Sequence, residues 1–401
     1  MHKKPYDSKE KWFWIFCLIG SFAILSSTMS KNPVLNPFAK SLETPDPFMG
    51  FVASASTIPG ILISLPAGTL SDILGRRKML VISSIIFASA PFLYLLINAW
   101  WQLILVRFYH GFATAIFVPV ANASIAEVFP KRRAERISTF STATIIGRTA
   151  APFLGGYILS VTTYNFKSLY LAVGIAGVTT FILTFSLFKE RKTAENVDTK
   201  KGKELNSAQS VISGWSKVVR NRGVLVISFI ESVQYYGYGA IEYFLVGYLN
   251  EIVKLDAFLI GIISGGLLVV SFAKPFMGRL SDRIGRKIPV FWGCIIAGIP
   301  LLGIPLTKDF VFLLLFAVLY GIGFALVTSS TPAFASELSP PKLVGTTMGF
   351  LGTIMDVGQT LGPIISGLIL ANFGYTGLFY SLTTLYLASS IIFASLITKQ
   401  G

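Results

Sequence analysis

Runs of mostly apolar residues dominate this chain, and most are about 20 residues long, the length a helix needs to cross a hydrocarbon core. Twelve such runs can be drawn, at 12–40, 47–69, 79–98, 101–128, 137–162, 167–188, 223–250, 257–277, 288–306, 309–337, 344–371 and 376–397. The links between them are short and rich in Gly, Pro and charge, which punctuate rather than span. Asn98-Ala99-Trp100, for example, leaves no room for a soluble domain. Backbone in lipid must satisfy its hydrogen bonds internally, so each run predicts a helix. The expected fold is all-α and integral to a membrane, with twelve transmembrane helices. The first run follows Lys3, Lys4, Lys9 and Lys11 and is longer than a signal-peptide core, so it is expected to be a retained helix.

Composition agrees. Of 401 residues, 53% are hydrophobic and 13% charged, against about 25% charged in soluble domains. The net charge of +15 raises the possibility of a nucleic-acid partner, and its placement argues against one. If the N-terminus is cytoplasmic, 26 of the 34 Lys and Arg fall in segments on that side, and Lys40, Lys167, Lys254 and Lys308 on the other. Lys31, Arg107, Arg148 and Lys274 fall inside spans. The positive-inside rule then puts both termini in the cytoplasm and accounts for the basic balance without nucleic acid. Cys17 and Cys294 lie in apolar spans and read as packing residues. No nucleophile–base set, metal-ligand spacing or phosphate loop stands out, so neither enzyme, metal site nor cofactor is expected.

An offset of 210 aligns the two halves of the chain. Asp46 meets Asp256, Phe48 meets Phe258, Gly111 meets Gly321 and Glu127 meets Glu337. The loop Gly68-Thr-Leu-Ser-Asp72-Ile-Leu-Gly75-Arg76-Arg77 meets Gly278-Arg-Leu-Ser-Asp282-Arg-Ile-Gly285-Arg286-Lys287. One residue later in offset, Gly147, Pro152 and Gly156 meet Gly358, Pro363 and Gly367. Six spans per copy keep both copies in the same orientation, as in a parallel repeat about the membrane normal. The predicted organisation is a six-helix bundle at 1–188, a basic cytoplasmic linker at 189–222 and a second six-helix bundle at 223–401.

With its doubled Gly-x-Leu-x-Asp-x-x-Gly-Arg-Arg/Lys loop, the chain resembles the major facilitator superfamily over essentially its whole length, and within it the twelve-helix drug:proton antiporter branch. The resemblance implies the major facilitator fold, two pseudo-symmetric six-helix bundles, working as a monomer in the lipid bilayer of a plasma (inner) membrane. It also implies that the loop latches the cytoplasmic side when the transporter faces outward. The residues suit that role. Gly68 and Gly75, and Gly278 and Gly285 in the copy, permit tight turns. Asp72 and Asp282 can accept from a helix N-terminus. Arg76 and Arg286 can fork onto Glu127 and Glu337. Gly147, Pro152, Gly155 and Gly156 on the fifth span resemble the antiporter motif, with Ala151-Pro152 where Gly-Pro is usual. That motif tracks export in the family.

Polar residues inside spans suggest the chemistry. Arg107 and His110, on the fourth span, share a face with Gly111. The family pattern there is Arg-x-x-Gln-Gly, its Arg implicated in proton coupling; His110 stands in place of the Gln. Glu231, Gln234, Tyr235, Tyr238 and Glu242 form a stripe on the seventh span, which should look into a cavity rather than at lipid. Asp356 and Gln359 share a face mid-way along the eleventh span, Asn32 and Asn36 share one on the first, and Arg148 is a further buried cation on the fifth. The reading is proton-driven efflux of a small organic or drug-like molecule by alternating access. Asp356 or Glu231 carries the proton, and Arg107 and His110 contribute to coupling. Asn32, Asn36, Arg148, Gln234, Tyr235, Tyr238, Glu242 and Gln359 line the substrate cavity. Three buried acids face three buried cations (Lys31, Arg107, Arg148), so no net sign of the cavity emerges. A metabolite or sugar symporter or facilitator stays open, as does, further off, a membrane sensor that does not transport.

Overall fold

A computed structural model of the protein describes residues 5–63, 71, 74–189, 216, 218–339 and 343–397. No strand occurs among them. The helices of the first half are α1 (Pro5–Met29), α2 (Leu35–Ser41), α3 (Asp46–Ser54), α4 (Arg76–Tyr94), α5 (Trp100–Val128), α6 (Arg133–Val161) and α7 (Phe166–Lys189). Those of the second half are α8 (Arg222–Tyr248), α9 (Ala257–Val269), α10 (Lys274–Ile284), α11 (Lys287–Gly303), α12 (Phe310–Leu338) and α13 (Val344–Ile397). Gly68, Asp72 and most of the expected linker at 189–222 lie outside the described residues.

These helices make twelve spans. Nine helical stretches among the described residues are long and apolar enough to cross a membrane. The last of them is double: Gly374, at φ 66° and ψ −174°, breaks α13 in two, in a region of backbone space that suits glycine. The remaining two spans are α6 and α8. Their in-span polar residues, Arg148 in α6 and Glu231, Gln234 and Glu242 in α8, lower the apolar content that such a test rewards.

Three spans expected as continuous are interrupted. The first breaks between Met29 and Leu35, around Pro33. The second turns at residues 55–57. The eighth passes through a 3-10 turn, Val270–Ala273, before α10 restarts at Lys274-Pro275. Proline lacks the N–H that a continuing helix would use, so it sits best in a first turn.

Within the first half α1 packs on α6 and α7, and α4 on α5 and α7; within the second, α8 packs on α13 and α11 on α12. The halves meet along two seams, α3 against α13 and α6 against α9. Small residues make the seams close. A Cβ on Gly50 would run into the Pro363 carbonyl, and one on Gly261 into the Pro152 carbonyl. The antiporter-like motif is spread over such contacts. Gly147 lies on the Ser21 backbone of α1, Gly155 on Asn32 and Pro33, and Gly156 on the Ala257 carbonyl across the seam.

Candidate functional site

The links carrying the basic runs 76–78, 131–136 and 279–287 fall at one end of the bundle, because successive links alternate between ends. At the opposite end the halves are sealed. Lys31 Nζ pairs with Glu242 at 2.7 Å, and Asn32 and Tyr238 both donate to the other Glu242 oxygen at 3.2 Å. The Tyr164 hydroxyl donates to Asn250 at 3.0 Å, Ser160 to Asp256 at 3.0 Å, and Lys40 lies 3.7 Å from Glu251. Beneath this seal lies a cavity of about 930 Å³ between the halves, a size suited to a drug-sized molecule. Lys31 and Glu242 stand in its wall at the sealed end, Asn122 and Met348 toward the basic end.

Arg107 is 1% exposed. Its Nε donates to the Val52 carbonyl at 3.0 Å and its Nη2 to Ser56 Oγ at 2.5 Å. The turn at 55–57 in the second span brings Ser56 there. His110 is also buried. Its Nδ1 lies 3.4 Å from the Tyr94 hydroxyl, and its Nε2 has no partner among the described residues. Tyr94 stacks on Tyr170 with centroids 4.4 Å apart. Arg148, Tyr235, Tyr238, Asp356 and Gln359 all line the cavity. Asp356 stands out among them: no hydrogen bond or ion pair reaches its carboxylate among the described residues, and it faces Gly60 of the other half.

The stripe on α8 divides. Tyr235, Tyr238 and Glu242 face the cavity, whereas Glu231 is 3% exposed and takes a hydrogen bond from the Thr331 hydroxyl of α12. Gln234 is fully buried and donates to Cys294 Sγ at 3.4 Å. A shared helix face guarantees a shared direction. It does not reveal what stands in front of that face, and at Glu231 and Gln234 the rest of the second half does. Asn36 is likewise buried away from the cavity, against Gly247.

Lys274 and Phe324 belong to the wall and are not among the residues expected to line it. Lys274 Nζ lies 5.2 Å from the centre of the Phe324 ring, which stacks on Tyr238 at 4.8 Å. The signal for Lys274 was its position inside a span, where a charge is costly without a partner or a cavity. The wall therefore holds four cations (Lys31, Arg107, Arg148, Lys274) against two carboxylates (Glu242, Asp356) among the described residues. Glu242 is already held by Lys31. The cavity is thus net positive, which the count of buried charges along the chain did not show.

Both loop motifs form the same cluster. Arg76 donates to Glu127 through Nε at 3.0 Å and Nη2 at 2.9 Å, and also to Ser71. Arg286 donates to Glu337 at 3.0 Å and pairs with Asp282 at 2.5 Å. Gly75 and Gly285 have φ of 92° and 86°, where a side chain would strain the turn. Among the described residues a Cβ on Gly278 would touch nothing.

Twelve spans in two homologous halves, enclosing a polar cavity sealed at one end, define a membrane transporter of the alternating-access type. The chain belongs to the Major Facilitator Superfamily, which it matches over residues 16–269 and 227–400. It is 25% identical to the multidrug resistance protein MdtG of Proteus mirabilis over 95% of this chain and 94% of that protein. It is 29% identical to a multi-drug resistance efflux pump PmrA homolog of Lactococcus lactis over 94% and 92%. Among solved structures it resembles a bacterial homolog of the human lysosomal transporter Spinster, in an inward-facing and unoccupied conformation. The TM-score is 0.79 and identity 16%, over 98% of this chain and 96% of that one.

Proposed function

We propose that the protein exports small organic, drug-like molecules in exchange for protons, with Asp356 as the proton carrier. The observation that carries this reading is the isolation of Asp356: a carboxylate deep in a span, in the cavity wall, without a protein partner among the described residues. A charge there is costly. A proton or a cationic group on the substrate relieves that cost, and the two compete for one site. Similarity to a multidrug resistance protein and to a homolog of a multi-drug resistance efflux pump supports efflux as the direction. Glu231, under Thr331, lies behind the wall and acts on Lys274 through its charge. Arg107 ties the wall to the second span, and His110, through Tyr94, to the third, so that movement of one half changes the charge facing Asp356.

In this reading the bundles are 1–188 and 223–401, joined by 189–222, and both termini and the basic loops are cytoplasmic, as the positive-inside rule implies. The cavity then opens inward, and Lys31–Glu242 belongs to the outer seal. The Arg76–Glu127 and Arg286–Glu337 clusters, with Gly68, Asp72 and Gly278 in the same loops, latch the cytoplasmic side when the halves rock. The protein acts as a monomer in the plasma (inner) membrane.

The test uses purified protein in liposomes with a more acidic lumen. The wild type should accumulate a drug-like substrate against its gradient. Asp356→Asn should still exchange substrate downhill and lose the accumulation. Wild-type accumulation by Asp356→Asn would remove Asp356 from the role.

A further inference from the structure

The excess of cations in the cavity has a definite location. Helices α6 and α9 run antiparallel, with Gly156 against Ala257, Pro152 against Gly261 and Phe153 against Gly265. That register carries Arg148 toward the C-terminal end of α9, and the 3-10 turn Val270–Ala273 itself touches α6. Lys274 follows that turn directly, and both cations stand in the wall of the same cavity. The two cations are close enough to act on each other electrostatically. One comes from each half of the molecule.

Among the described residues neither cation has an ion-pair partner. More than a third of Arg148 is open to the cavity. Glu231, whose charge reaches Lys274, makes no ion pair with it and accepts from the Thr331 hydroxyl. Two like charges converging inside a membrane, with no ion-pair partner for either, are costly unless a ligand supplies one. An arginine fork and a lysine together match an oxyanion. Beside them, Tyr235, Tyr238 and Phe324 form an aromatic surface: Tyr238 stacks on Phe324, and Tyr235 meets Phe324 edge-on at 5.3 Å.

We infer that Arg148 and Lys274 form an oxyanion subsite, so that the preferred substrate is an aromatic zwitterion rather than a simple cation. Its oxyanion bridges Arg148 and Lys274, its ring lies on Tyr238 and Phe324, and its ammonium group takes Asp356. This rests on the proposed function, because the ammonium must still compete with the proton at Asp356. It adds that the substrate joins the two halves through its anionic end.

A matched pair of probes tests it: 2-naphthylalanine, a zwitterion, and its methyl ester, which keeps the ring and the ammonium and loses the oxyanion. Binding to purified protein is measured by calorimetry or by quenching of intrinsic fluorescence. The zwitterion should bind about tenfold more tightly than the ester, the size of effect expected from one charge-assisted contact. Arg148→Gln and Lys274→Gln should each shrink that gap chiefly by weakening the zwitterion, and Arg148→Lys and Lys274→Arg, which keep the charge and guard against misfolding, should restore most of it. Equal binding of the two probes by the wild type overturns the inference, and so does a gap that survives both Gln variants. Failure of the exporter reading looks different. The binding gap would then be present, yet an imposed proton gradient would drive neither probe into liposomes.

Discussion

The two seams that join the halves are copies of each other; the two sides of the cavity are not. In one seam Gly50 faces the Pro363 carbonyl, in the other Gly261 faces the Pro152 carbonyl. An offset of 211 carries Gly50 to Gly261 and Pro152 to Pro363. The motif arginines repeat the same economy, Arg76 on Glu127 and Arg286 on Glu337. At the cavity the copies part. Arg107 answers to Ala317, Asp356 to Ile145 and Arg148 to Gln359. His110 reaches toward Tyr94 at 3.4 Å, whereas its counterpart Tyr320 meets the Tyr386 hydroxyl at 2.9 Å. Shared positions hold the geometry of a motion both halves must make. Divergent positions hold charge, and a site at the centre needs each charge only once.

The largest test of this contrast lies in the seams. Gly50→Val and Gly261→Val each push a side chain into backbone, which rotation cannot relieve. Each should cost the sealed state about 1–3 kcal/mol or more, and should open the Lys31–Glu242 end. Distances between spin labels at positions 40 and 251 report it. If only one substitution opens that end, the seams are not equivalent.

A middle-sized effect is expected where the copies differ. Arg107→Ala leaves the buried Val52 carbonyl without its donor and should lower stability by about 1.5–3 kcal/mol, with loss of transport. Tyr320→Phe removes one hydroxyl contact and should cost about 1 kcal/mol, with transport retained. Thermal unfolding in detergent and initial uptake rates separate the two; equal loss of transport would place chemistry at both positions.

The smallest effect on stability belongs to the loop clusters. The Glu127 and Glu337 side chains are 57% and 55% exposed. Glu127→Gln and Glu337→Gln should each change stability by less than about 1 kcal/mol, while slowing turnover several-fold at unchanged substrate affinity. Weakened binding at normal turnover would contradict the latch.

Much of the fold is legible along the chain because its causes are local. Span length is set by bilayer thickness, and an apolar run of that length has few other stable states. The repeat appears as a fixed offset, and the doubled loop appears as matching residues with matching spacing. The Pro275 restart is less visible, because a break inside an apolar run changes composition very little, whereas the break at Gly374 falls in the link between the last two runs. The candidate site is legible only in part. Arg107, Arg148 and Asp356 attract notice as charges within spans, yet Glu231 does so equally and lies behind the wall under Thr331.

By itself, then, the sequence determined a twelve-span membrane protein, its internal repeat, the paired loop clusters and the residues able to carry charge through lipid. Only the tertiary structure decided that Lys31 is consumed by Glu242, that Gln234 and Glu231 point into protein, and that Lys274 joins Arg148 in a net positive cavity. The reason is that hydrophobic length and helical period act within one segment. The neighbours of a buried charge come from other helices, here 100 residues away along the chain for Thr331 and Glu231 and 211 for Lys31 and Glu242, and no pattern along one helix encodes them.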